Sequence, residues 1–248
     1  MNTLYIKKIS IKKEDIESFE KYPFNIEVVK NFNELNIESS VTFLYGENGT
    51  GKSTFIEAIA VACGLNAEGG TQNFHFSTKS THSELYEYIR IGKFGIPKTK
   101  FFLRAESLYN VATEIEELDK ELLGGTHIAD AYGGDLHECS HGEAFMKVVE
   151  NKFSGNGLYI LDEPEAALSP NRQLSLLCHI DKLVKQGAQF IIATHSTILL
   201  SYRDGKIYDL NNNFEEIKYE ETEVYTTYKN FLNNPYGMQK MLFDYDKI

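Results

Sequence analysis

The chain has 248 residues, 42% of them hydrophobic and 25% charged, with a formal net charge of −11. Such values belong to a globular protein long enough for one α/β domain with a sizeable insertion. The acidic balance argues against broad electrostatic binding to nucleic acid or to an anionic membrane. Cys63, Cys139 and Cys178 are far apart and odd in number, which excludes a disulfide framework and fits a reducing, cytoplasmic setting. Met1 to Ser10 has no apolar core, and the longest apolar run, Phe190 to Leu200, is too short for a bilayer, so no membrane insertion is expected.

Residues 4–12 and 26–32 read as strands of an N-terminal edge sheet, with a turn at Tyr22-Pro23 between them. Tyr22 and Phe24 are placed to stack on a base, although core packing is the commoner use of such rings. Val41-Thr42-Phe43-Leu44-Tyr45 is a buried-type strand leading into Gly46-Glu47-Asn48-Gly49-Thr50-Gly51-Lys52-Ser53-Thr54. This is G-x-x-x-x-G-K-[ST], and a helical run from Phe55 to Ala62 follows it. The strand–loop–helix context makes it a phosphate-binding P-loop, which turns backbone N–H groups and a helix start toward a polyphosphate. Lys52 would reach the β- and γ-phosphates, and the Ser53 hydroxyl would ligate Mg²⁺.

Gly64 ends the helix, and 66–83 reads as loop. Tyr86 to Ile91 and Lys100 to Leu103 read as strands, and Ser107 to Leu123 as an acidic helix broken by Gly124-Gly125. A glycine-rich segment leads to His137-Glu138-Cys139-Ser140-His141. Its H-E-x-x-H spacing needs one continuous helix to hold zinc, and the glycines on both sides deny it that. Gly142 to Phe153 is a helix, and Gly157 to Leu161 a buried strand ending in Asp162-Glu163. Four apolar residues followed by Asp-Glu form a Walker B element. Asp162 would hold Mg²⁺ and Glu163 would polarise the attacking water. Asn171 to Lys185 is a helix, Gln189 to Ala193 a strand ending in Thr194-His195-Ser196, and His195 would contact the γ-phosphate. A hairpin around 211–213 and a helical tail interrupted at Pro235 complete the chain. The alternation after residue 41 predicts a mostly parallel sheet flanked by helices, with one site at its carboxyl ends.

The residues resemble the ATP-binding cassette class of P-loop ATPases, and most closely a group of stand-alone bacterial AAA-family ATPases related to RecF and SMC heads. Ser140-His141-Gly142-Glu143 is similar to the class signature, departing from it at His141 and Glu143. Residues 166–170 resemble its D-loop, and Thr194-His195-Ser196 its switch histidine. The resemblance implies a single domain over 1–248, with a core from about 1–64 and 154–248 and an inserted lobe over about 75–153 ending in the signature helix. It implies ATP and Mg²⁺ as ligands and an ATP-dependent head-to-tail homodimer, in which Ser140, His141, Gly142 and Glu143 meet the other copy's nucleotide. It further implies a separate effector protein, in DNA maintenance or phage defence, in membrane transport, or as a nucleotide-dependent scaffold. No glutamine ends a strand before the signature, Gln72 falling too early. Arg104-Ala105-Glu106-Ser107 stands in that place, with Glu106 or Ser107 as the expected substitute.

Overall fold

The computed structural model describes residues 4–70, 83–121 and 127–243. The chain runs through β1 (Ile6–Ile11), α1 (Glu27–Asn31), β2 (Glu34–Asn36), β3 (Val41–Tyr45) and α2 (Lys52–Ala62). Next come α3 (Leu85–Tyr88), β4 (Ile89–Lys93), β5 (Thr99–Arg104) and α4 (Leu108–Glu121). The second half carries α5 (His141–Lys152), β6 (Gly157–Asp162), α6 (Pro170–Val184), β7 (Gln189–Ala193) and α7 (Thr197–Leu200). The last described elements are β8 (Lys206–Asp209), β9 (Glu215–Ile217), α8 (Glu223–Asn233) and α9 (Pro235–Phe243).

A six-stranded sheet runs in the order β5-β6-β7-β3-β8-β9, parallel except where β9 pairs with β8. Its central strands are apolar on both faces, because helices or a second sheet cover each. In β3, Val41, Phe43 and Tyr45 enter one core and Leu44 the other; in β7, Phe190 and Ile192 oppose Ile191 and Ala193. Alternate side chains leave a strand on opposite faces, so each strand feeds both cores. α4, α5, α6 and α7 pack on the first face, and α1, α2 and a small antiparallel sheet, β2-β1-β4, on the second. The buried Gln189 side chain joins the sheets, accepting from the backbone N–H of Tyr5 (2.7 Å) and Ile6 (2.9 Å) and donating to the Ile6 carbonyl (2.8 Å).

The structure departs from the sequence reading over 26–32 and over 86–88, where Tyr86, Glu87 and Tyr88, expected to open a strand, belong to helix α3 and the strand β4 begins at Ile89. Residues expected as a strand over 26–32 form helix α1. Ile26, Val29 and Phe32 recur at helical spacing, and Phe32 packs edge-on against Phe55 of α2 with ring centroids 4.7 Å apart. That burial overrides the strand preference of the two valines. Within the stretch 75–153, β4 joins the small sheet and β5 the large one. The Gly124-Gly125 break, Gln72 and most of the 66–83 loop lie outside the described residues.

Candidate functional site

The P-loop leaves β3 at Gly46 and enters α2 at Lys52. Gly49 and Gly51 have φ of +83° and +93°, a region that favours glycine. A Cβ on Gly51 would lie 2.5 Å from Ile26 Cγ2. Lys52 is buried, and its ammonium donates to the carbonyls of Gly46 (2.7 Å) and Glu47 (2.9 Å). The Thr50 hydroxyl donates to the Glu47 carbonyl at 3.0 Å, so the loop is folded around the lysine. Asn48 is exposed at its tip. Of the two candidate base-stacking rings, Tyr22 is exposed with its hydroxyl 3.4 Å from Thr54 Oγ1, while Phe24 is buried against Tyr88.

Asp162, Glu163 and His195 sit at the carboxyl ends of β6 and β7, beside the loop. Ser53 Oγ donates to Asp162 Oδ1 at 3.2 Å, and Arg104 Nε donates to Asp162 Oδ2 at 2.9 Å. Burial pushes the Asp162 carboxyl up to about 6, against the downward pull of Arg104. A hydroxyl beside a carboxylate is the hard-oxygen donor set Mg²⁺ prefers, so these residues fit the ion. Glu163 has φ +46°, a strained conformation for a non-glycine residue that recurs at functional positions. Its Oε1 lies 3.4 Å from Lys52 Nζ and 3.9 Å from His195 Nδ1.

Glu165, two residues on, holds the histidine segment. Its Oε1 accepts from Thr194 Oγ1 and from the His195 backbone N–H, both at 2.7 Å. His195 Nδ1 lies 3.2 Å from that already occupied oxygen and is buried without a hydrogen bond of its own. Gln173 ties the next segment together, accepting from Ser196 Oγ (2.6 Å) and donating to the Leu168 carbonyl (2.9 Å).

Ser140 caps α5 in a reciprocal box. Its hydroxyl accepts from the Glu143 N–H, and Glu143 Oε2 accepts from the Ser140 N–H at 3.0 Å. Arg172 Nη2 donates to Glu143 Oε1 at 3.0 Å. Gly142 lies so close to Arg172 and the Ala167 carbonyl that a Cβ would come within 2.6 and 2.8 Å of them. Glu143, in place of a glutamine, thus completes a helix cap, and His141 is exposed on the first turn. No hydrogen bond or ion pair among the described residues joins Ser140–Glu143 to the P-loop. Among the described residues no group of three or more His, Cys, Asp or Glu is placed to hold a metal ion.

The profile of the family described as "AAA domain" matches residues 10–230. This chain belongs to the AAA domain family. Its motif order is that of the ATP-binding cassette class of P-loop ATPases. The AAA-domain chain is 27% identical over 244 residues to the methionine import ATP-binding protein MetN of Clostridioides difficile, covering 92% of this chain and 73% of that one. It is 28% identical over 218 residues to the probable branched-chain amino acid transport ATP-binding protein LivG of Methanocaldococcus jannaschii, covering 73% and 82%. Its fold is shared with a solved ATP-binding cassette of an ABC transporter, with 17% identity, TM-score 0.50, and coverage of 94% of this chain and 97% of that one.

Of the segment that stands in place of a strand-ending glutamine, Arg104 is the last residue of β5. Arg104 reaches Asp162, Glu57 and the Ser53 carbonyl, whereas Glu106 is exposed and Ser107 is buried behind it. Sequence reasoning also passed over Glu165, whose only signal was a third carboxylate two residues after the Walker B pair. On the far side of the P-loop, Tyr45, Gly46, Glu47 and His195 line a cavity of about 240 Å³ with Glu223, Val224, Thr227 and Tyr228 of α8. Tyr45 is buried at the mouth of this cavity, next to Glu223 and Val224 in the first turn of α8.

Proposed function

We propose that this ATPase binds ATP with Mg²⁺ in the P-loop, hydrolyses it to ADP and phosphate, and pairs head to tail with a second copy while ATP is bound. One observation carries the reading: Lys52, Ser53, Asp162, Glu163 and His195, from three parallel strand ends, meet within ion-pair or hydrogen-bond reach. The backbone from Gly46 to Thr54 wraps the phosphates, and Lys52 exchanges loop carbonyls for them. Ser53 and Asp162 hold the metal. Bound Mg²⁺ neutralises charge on the phosphate oxygens. Glu163 takes the proton of the attacking water, and His195 contacts the γ-phosphate. Ser140, His141, Gly142 and Glu143 complete the other copy's site, carried on the lobe that follows Arg104.

Two partner classes have support. The resemblance to RecF and SMC heads favours an effector of DNA maintenance or phage defence. The names of the relatives, methionine import and branched-chain amino acid transport, favour a membrane transporter. Among the described residues no helix is long and apolar enough to cross a membrane. Stimulation of turnover by DNA supports the first class, and co-purification of a hydrophobic subunit the second.

The test of the chemistry is Glu163→Gln beside Lys52→Ala. Glu163→Gln is expected to retain ATP, lose turnover by at least about a hundredfold, and accumulate as a dimer in light scattering. Lys52→Ala is expected to lose ATP binding. Parent-rate hydrolysis by Glu163→Gln overturns the base assignment, and unchanged ATP affinity in Lys52→Ala overturns the site.

A further inference from the structure

β5 and β6 run parallel and in register, with Arg104 directly beside Asp162. Register partners share a face of the sheet, so the two side chains leave the strand ends together. The guanidinium is fully engaged there: Nε donates to Asp162 Oδ2 (2.9 Å), Nη1 to Glu57 Oε2 (3.0 Å), and Nη2 to the Ser53 carbonyl (3.3 Å). Side-chain exposures of 16% for Arg104, 16% for Glu57 and 3% for Asp162 put this cluster out of bulk water. Exposed ion pairs form at little gain, but a desolvated one persists only where its geometry answers every charge. With Ser53 Oγ on Oδ1, both oxygens of the metal-binding carboxylate are occupied.

On the ATP–Mg²⁺ reading above, on which this inference rests, the neighbour of the metal position is therefore a permanent cation. The glutamine of the class that the chain resembles, absent from this sequence, would be neutral. We propose that Arg104 is a resident counter-cation of the metal position, excluding a bare divalent ion and admitting one only with a triphosphate. The guanidinium neutralises Asp162 in the nucleotide-free protein and repels a second cation at close range, with Glu57 moderating but not cancelling its charge. The phosphates of a nucleotide supply the negative charge that reverses the balance. A brace between β5 and α2 would need only the Arg104–Glu57 pair; it gives no reason for Nε to be spent on the metal's own ligand.

The experiment titrates the full chain, free of nucleotide, with Mn²⁺ alone and reads free Mn²⁺ by electron paramagnetic resonance. Arg104→Gln is expected to bind one Mn²⁺ at least about tenfold more tightly than the parent. Arg104→Met, a second neutral replacement, is expected to do the same should the glutamine variant fold poorly. Arg104→Lys keeps the charge and is expected to bind as weakly as the parent. Adding Asp162→Asn to Arg104→Gln is expected to remove the gain, which assigns it to this carboxylate rather than to the acidic surface. Neutral variants that bind Mn²⁺ no more tightly than the parent overturn the proposal, as does a lysine variant that binds as tightly as they do. ATP binding by the parent in the presence of Mg²⁺ is measured in parallel: its absence overturns the nucleotide reading, whatever the manganese titration shows.

Discussion

Glu165 shows how a residue without a motif governs one that has it. Its Oε1 accepts both the Thr194 hydroxyl and the His195 N–H at 2.7 Å, fixing the backbone from which the imidazole projects. Replacing it with alanine strands two buried donors, at a cost of roughly 1–3 kcal/mol each. Glu165→Ala is therefore expected to lower the unfolding temperature by several degrees and turnover by at least about tenfold. Glu165→Gln, which keeps an acceptor, should fall between alanine and parent in both assays. A Glu165→Ala protein of parent stability and rate would show that His195 is held by something else. Ser140 and Glu143 illustrate the same point: the acid that departs from the class signature is the partner a serine cap needs at its third helical position.

At the scale of elements, the P-loop depends on a helix the sequence reading made a strand. Gly51 is left-handed at the N-terminus of α2, and Ile26, just before α1, fills the space its Cβ would take. Gly51→Ala is thus expected to weaken ATP binding more than tenfold and to destabilise the fold, by backbone strain of about 1–2 kcal/mol plus the clash. Ile26→Ala added to it should relieve the clash and recover stability, while calorimetry finds ATP affinity still impaired. Both halves of the P-loop environment were legible to different degrees. The loop, the Walker B pair and His195 could be read because each is contiguous with its own strand. α1 could not, because valine and isoleucine favour strands locally and only contact with α2 selects the helix. Arg104 was missed for a related reason: its importance arises from lateral register between β5 and β6, which no local pattern encodes.

At the scale of the whole molecule, the proposed head-to-tail pairing gives each chain half of two sites, with Ser140–Glu143 of one copy facing the P-loop of the other. A mixing experiment tests this directly. Lys52→Ala and Ser140→Ala are each expected to be inactive alone, but equal mixing should restore about a quarter of the parent sites, because a mixed dimer contains one intact pairing. No recovery on subunit exchange would place both halves in one chain. The other large-scale feature is the pair α8–α9, none of whose residues is buried and which exposes Tyr228, Leu232, Tyr236, Met241, Leu242 and Phe243. Tyr45, at the end of the P-loop strand, lines one cavity with Glu223 and Val224 of the first turn of α8. An eleven-residue helix is a rod about 16 Å long. With nucleotide in the P-loop as proposed, α8 would be a short arm, its near end beside that nucleotide and its far end leading into the apolar residues of α9.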